Sequence, residues 1–260
     1  MSKTTKKEAS VSIEVMEIER GSVRYCLLGS TPMIPRAMSA KTKHELLLPA
    51  GRKTVAEKKT TFKHDVYEEF RSSAIRLREP SDTLLAMPGA AFKKSLGTAA
   101  LDTPGGGSKA QLLRLTWVEE YNVGIYGLPF LLMSVVRSAD MNKTPDIRTR
   151  VVIPQWAATI TVSYQKPMLT ERVISMLLGG AGNTCGVGDW RQEKGSGSFG
   201  LWDLVSEDNK AFQSILRSGG RAAQEIAMKD AVPFDEETDS LLRFFNEEKA
   251  RRTDPKKEKK

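Results

Sequence analysis

The sequence predicts an α+β domain, and three observations carry that prediction. Residues 11–18 and 158–164 alternate apolar and polar side chains, the period of a half-buried strand. Residues 87–101 and 170–178 place apolar side chains at helical spacing, so two helices present one face each to a core. From Ser206 onward the pattern turns helical. A chain of 260 residues can bury a core without disulfides or metals. Two cysteines, Cys26 and Cys185, are too few for a disulfide scaffold and fit a reducing compartment.

In chain order, 11–18 and Val23–Leu28 read as strands, with a turn at Glu19-Arg20-Gly21 and a stop at Gly29. Residues 36–80 show little periodicity and read as a long insertion with one short helix near 64–74. Met87-Pro88-Gly89 turns into a helix whose Phe92, Leu96 and Ala99/Ala100 share a face. Gly105-Gly106-Gly107 is a flexible break. Residues 111–118 and 130–137 are strand-like, 138–150 form a basic polar loop, and 151–164 read as strand interrupted at Pro154. Thr170 is a plausible N-cap and Glu171 suits the helix dipole, with Gly179-Gly180 expected to end that helix. A short strand over 199–205 and a last helix near 236–249 complete the reading. The organisation expected is a flexible basic tail over 1–9, a core over 10–205, a helical extension over 206–250 and a disordered charged tail over 251–260.

Charge points to a polyanion. The net charge is +8. Between Arg36 and Glu79 stand eleven Lys/Arg against six Asp/Glu, a local excess of five, with Phe62 and Tyr67 interleaved. Cations that track phosphates beside rings that stack on bases suit a single strand. No apolar run approaches ~18 residues, and the basic start is not followed by an apolar signal segment. A cytoplasmic protein with no membrane partner is therefore expected.

Other chemistry is poorly served. Cys26, Cys185, His44 and His64 form no paired metal-ligand spacing, so no metal and no cofactor are expected. Gly195–Gly200 matches Gly-x-Gly-x-x-Gly literally but lacks the preceding strand and following helix of a dinucleotide site. Gly105–Lys109 lacks the order of a phosphate-binding P-loop. Segment 179–200 is more informative, with eight glycines in 22 positions together with Trp190, Arg191 and Lys194. Such a loop permits backbone N–H groups to cradle an anion.

Three segments in order resemble one family. Gly186-Val187-Gly188-Asp189-Trp190-Arg191, then Gly195-Ser196-Gly197-Ser198-Phe199, is similar to the glycine-rich loop of the RAMP superfamily, the repeat-associated proteins of CRISPR systems. Met87–Leu96 resembles the turn-to-helix element of its backbone (Cas-seven-type) subunits. Val151-Val152-Ile153-Pro154 leading to Thr159–Val162 resembles one of their strands. The resemblance covers roughly 22–205 and implies a modified ferredoxin-like, RRM-type antiparallel core. Insertion 36–80 and loop 138–150 would then be finger- and thumb-like elements. A subunit of a CRISPR complex and a phage-encoded relative are both compatible with it. The loop after the first strand, Gly29–Ser39, carries no acid where some cleaving subunits have an Asp, and Asp189 and Glu193 make the glycine loop more acidic than the family pattern.

The function expected is a non-catalytic subunit that binds single-stranded RNA, or single-stranded DNA, and assembles head to tail with copies of itself and other subunits. Arg36, Lys41, Lys43, Arg148, Arg150, Arg191 and Lys194, with Lys93 and Lys94, are the candidate phosphate contacts. Trp190 and Phe62 are candidate stacking rings, and Gly186, Gly188, Gly195 and Gly197 would admit the strand's backbone. An endoribonuclease using His44, His64 or Asp65 and an interaction protein without nucleic acid are the alternatives.

Overall fold

The computed structural model describes residues 18–35, 37, 43, 47, 64–137, 145–195 and 197–253. Of the strand expected over 11–18 only residue 18 is described; the 1–9 tail lies outside these residues, as does most of the 36–63 stretch, and of the disordered tail expected over 251–260 residues 251–253 are helical while 254–260 lie outside.

Strand β1 (Glu19–Gly29) is continuous, and the turn expected at 19–21 is absent. It pairs antiparallel with β8 (Ala157–Lys166) from Glu19↔Lys166 to Leu28↔Ala157. Gly21 marks close packing here: a Cβ would lie 2.5 Å from the Tyr164 ring that crosses it. On the other edge of β1, β9 (Trp202–Val205) pairs over Cys26–Gly29. The other edge of β8 is shared by β4 (Thr116–Val118) and β5 (Asn122–Tyr126). β5 continues to β3 (Leu85–Pro88), and β3 to β2 (Ile75–Arg76).

Two helices complete the core. α2 (Gly89–Asp102) precedes β4, and α4 (Glu171–Thr184) lies between β8 and β9. The chain order β1-α2-β4-β8-α4-β9, with spatial strand order β9-β1-β8-β4, is the split-βαβ ferredoxin-like arrangement. Phe92 of α2 meets Trp202 of β9 edge-on at 5.8 Å. Ile174, Leu177 and Leu178 of α4 are fully buried against Leu27, Ile160 and Val162 of the sheet. Burying each such side chain contributes about 1.5–3 kcal/mol.

Three local expectations change. Residues 111–115 belong to a helix, α3 (Lys109–Leu115), not to a strand. Gln-Leu-Leu-Arg-Leu are strong helix formers, and Gly97 of α2 leaves room for Leu113. Within the expected 138–150 loop, residues 145–150 belong to a strand and 138–144 lie outside the described residues: β7 (Pro145–Val152) pairs with β6 (Phe130–Arg137) in a separate two-stranded sheet. Its polar positions hid the alternation of Ile147, Thr149 and Val151 with Arg148, Arg150 and Val152. Lastly, α4 runs through Gly179-Gly180 to Thr184, capped by the Thr170 hydroxyl accepting from Val173 N. Gly182 is needed because a Cβ there would lie 2.1 Å from the Trp202 carbonyl oxygen.

The region after Ser206 is helical as expected and is tied into the core. Helix α5 (Lys210–Ser218) packs on β1 and β8 with Phe212 buried. Helix α6 (Arg221–Lys229) buries Gln224 completely. Gln224 Oε1 accepts from Leu84 N (2.8 Å) and Leu85 N (3.1 Å), and Nε2 donates to the carbonyls of Ile125, Gly127 and Gly219. Helix α7 (Glu236–Thr253) meets β6, where the buried Thr238 hydroxyl accepts from Met133 N. It also meets α1 (Val66–Ser72), the short helix expected near 64–74, where Tyr67 and Phe245 lie edge to face at 6.2 Å. No helix among the described residues is long and apolar enough to cross a membrane.

Candidate nucleic-acid interface

The glycine-rich segment folds back on itself. Gly186, Gly188, Gly195 and Gly200 adopt positive φ, and so does Trp190 at +52°. That conformation is strained for side chains other than glycine's. Val187 N donates to Gly200 O (2.9 Å), Phe199 N to Trp190 O (3.2 Å), Asp189 N to Ile34 O (2.9 Å) and Gly200 N to Pro32 O (2.8 Å). The Gly186 carbonyl accepts from Ser95 Oγ of α2. The segment is thus locked to the 30–34 loop and to α2.

This packing revises the expected roles of the glycines. A Cβ at Gly186 would lie 2.9 Å from Phe199 O, at Gly188 2.5 Å from Ile34 O, and at Gly197 1.8 Å from Trp190 O. The chain's own carbonyls fill the space expected for a nucleic-acid backbone. Gly195 alone of the four has nothing within 4 Å of its Cβ position. The N–H groups of Val187, Asp189, Glu193, Lys194, Gly195, Phe199 and Gly200 all have internal acceptors, so these seven are committed to the loop itself.

The register of β6 and β7 sets Ser134 opposite Arg148 and Leu132 opposite Arg150. Arg148 and Arg150 share one face of β7, and the glycine loop docks on that face. Arg150 is buried, pairs with Asp189 at 3.2 Å, and lies over the Trp190 ring at 4.6 Å. Ile34, Leu132 and Val152 form a small core beneath Phe130, Trp190 and Phe199. Trp190 therefore anchors the loop, with Arg150 over one face and the Phe199 ring 5.9 Å away. Sequence reasoning took Arg150 as a phosphate contact and missed its partner Asp189; the acid one residue before the tryptophan was the available signal.

Arg191 is also engaged. Its Nε lies 2.7 Å from Glu193 Oε2, and a terminal nitrogen donates to Gly188 O. Burial alone would push the Glu193 carboxyl up. The Arg191 hydrogen bond, with the charges of Arg191, Lys194 and Lys109, outweighs it and holds the carboxyl below its ordinary value. The Thr98 hydroxyl, 3.4 Å from Glu193, takes Lys109 Nζ at 2.8 Å and donates to Lys94 O. Lys94 therefore sits on the α2 face that meets the loop.

The exposed cations left at this surface are Arg148 on the hairpin, Lys194 in the loop and Lys94 on α2. Lys93 is half-buried, and Lys43 is exposed. Arg36, Lys41 and Phe62 lie outside the described residues. Elsewhere, Arg20 lies 3.8 Å over the Trp117 ring, so a cation already covers that ring.

The residues of the nuclease alternative are also accounted for. His64 Nδ1 is 2.6 Å from Glu69 Oε1, and Nε2 is 2.9 Å from Asp146 Oδ1. Asp65 is the N-cap of α1 and accepts from Glu68 N. His44 lies outside the described residues. Among the described residues no group of three His, Cys, Asp or Glu is placed to hold a metal ion.

No protein-family model matches the sequence, and no curated protein is similar to it. Solved structures are similar in part. One is the cryo-EM structure of the Type III-B Cmr-beta bound to cognate target RNA, with 10% identity and a TM-score of 0.37 over 72% of this chain and 59% of that chain. Another is the crystal structure of Cmr6 from Pyrococcus furiosus, with 9% identity and a TM-score of 0.35 over 72% of this chain and 99% of that one. The chain thus spans about three fifths of the first.

Proposed function

We propose that this protein is a RAMP-type subunit that binds single-stranded nucleic acid, RNA in preference to DNA, without cleaving it, and that copies join head to tail along the strand. The observation that carries this is the fusion of the glycine loop with the β6–β7 hairpin and α2 into one rigid surface. The exposed cations of Arg148, Lys194 and Lys94 stand on three different elements around it. Arg150, Trp190 and Arg191 serve as its scaffold: their charges and rings hold the loop in place, so the outer cations meet phosphates without reordering backbone. Holding both His64 ring nitrogens on carboxylates supports the non-catalytic form of this reading.

The test is binding of labelled single-stranded RNA and DNA of mixed sequence across a salt series. Each phosphate contact on a single strand adds about 0.7 to the slope of log affinity against log salt. The combined variant Lys94→Gln, Arg148→Gln, Lys194→Gln should lower that slope by about 2 with an unchanged melting temperature. Light scattering with the strand present should show a large particle that nuclease collapses. Absence of wild-type binding at low salt, or an unchanged slope in the variant, overturns the reading in favour of an interaction protein.

A further inference from the structure

Strand β1 has an edge that its own sheet leaves open. Its pairing with β8 runs from Glu19 to Leu28, whereas β9 covers only Cys26–Gly29 on the other side. Gly29 N donates to Trp156 O on the β8 side, and Ser30 N to Leu201 O on the β9 side. Antiparallel ladders alternate these directions along a strand. Arg20, Ser22 and Arg24 therefore turn their N–H and C=O groups to the β9 side, where no described strand meets them. Beyond Val205 the chain leaves this edge in a turn, with Asn209 N donating to Ser206 O, and enters α5. Arg20, Ser22 and Arg24 are exposed, and Ile18 is 59% exposed. An open edge of this length is a template for another strand.

The chain itself carries a segment of matching pattern. Residues 11–17 directly precede β1 in the sequence and share its alternation. Val11, Ile13 and Val15 have the parity of Val23, Tyr25 and Leu27, which face the core. Ser12, Glu14 and Met16 have the parity of Arg20, Ser22 and Arg24. Folding back onto the same β1 is disfavoured. A two-residue turn at Glu17-Ile18 would set Val11, Ile13 and Val15 opposite Arg24, Ser22 and Arg20. A three-residue turn calls for a left-handed residue such as glycine, which Met16-Glu17-Ile18 lacks.

A second copy meets neither obstacle. Antiparallel pairing about a two-fold axis at Ile18 sets Ile13 opposite Val23 and Val11 opposite Tyr25 on the core face. On the other face Glu14 lies opposite Ser22 and diagonal to both Arg20 and Arg24, within reach of each. The exposed Ile18 meets Ile18 of the second copy. Glu17 and Glu19 are the like-charged pair of this register, and Lys166, opposite Glu19 on β8, offsets them. Centring the axis on Ser22 instead would set Arg20 opposite Arg24, like charges face to face.

We propose that two copies of this chain pair through β1, each laying residues 11–17 along the other's 19–25 edge. The contact is isologous, the same patch on both copies. It needs no nucleic acid and does not rest on the head-to-tail joining proposed above.

The test is the mass of the nuclease-treated full chain by light scattering, over a dilution series up to tens of micromolar. The wild type should approach twice the chain mass. Ser22→Pro removes an outward N–H and the hydroxyl's bond to Glu119 but leaves the β8 ladder intact, and should stay monomeric. Glu14→Arg should weaken self-association on the order of tenfold, because the two-fold axis repeats the change. Adding Arg24→Glu should restore part of it. A monomeric wild type overturns the inference. So does an unchanged dimer in Ser22→Pro or, if that variant does not fold, in Glu14→Arg. A wild type that dimerises without binding RNA supports this contact and overturns only the nucleic-acid reading.

Discussion

Two glycine-rich segments look alike in the sequence and differ in kind in the structure. At Gly105-Gly106-Gly107 the outer two glycines take φ of +75° and +78° with nothing within 4 Å of their Cβ positions. They form an exposed turn between α2 and α3. At 186–200 a Cβ on nearly any glycine would strike a carbonyl: Val187 O lies 1.9 Å from the Gly200 position. The outer two glycines of the first segment serve backbone freedom alone, while the middle one, Gly106, is buried with its Cβ position 2.6 Å from Ala100 O. The second segment uses glycine to let one backbone lie against another. Glycine count therefore says little about flexibility; what occupies the missing side chain's place decides it.

Substitutions can break this contrast. Gly200→Ala combines positive φ with a collision against fixed backbone, and should cost on the order of 3 kcal/mol or more. Thermal unfolding would show it, and a shift no larger than that of Gly105→Ala would mean that the loop relaxes freely. Asp189→Ala leaves the buried Arg150 without that carboxylate. A fully buried pair would cost about 3–5 kcal/mol; Asp189 is partly solvated, so about 2 kcal/mol is expected. Urea midpoints should place it between the other two variants, and Asp189→Asn should recover part of the loss. Gly105→Ala meets only the left-handed backbone penalty of about 1 kcal/mol. Asn there, which tolerates that region, should recover most of it. A large loss at position 105 would show that this turn, too, is packed in solution.

Much of the fold was legible because it rests on local pattern. The Thr170 cap, the Phe92/Leu96/Ala99 face and the alternation of 158–164 each follow from side chains a few residues apart. Gly21 misled because a close ring contact and a turn both call for glycine. The β7 strand escaped because its partner and its buried face are needed to see why Arg150 belongs in it.

The candidate site was legible as a place but not as a mechanism. Sequence alone singled out the glycine loop and the basic 138–150 segment as separate candidates. Their union depends on the β6–β7 register and on a loop docking across more than 30 positions of chain, and neither leaves a local signature. Which cations are spent inside and which face outward is likewise a tertiary matter. Arg150 and Arg191 are drawn inward by ion pairs with Asp189 and Glu193, whereas Arg148 and Lys194 stay exposed. The sequence by itself determined the α+β alternation, the helix caps and the basic balance, because periodicity, capping and charge are properties of neighbouring residues. The tertiary structure decided that the glycines bind their own backbone, that two arginines are structural, and that His64 joins α1 to β7. Those outcomes depend on which distant groups come within about 3 Å, and packing alone sets that distance.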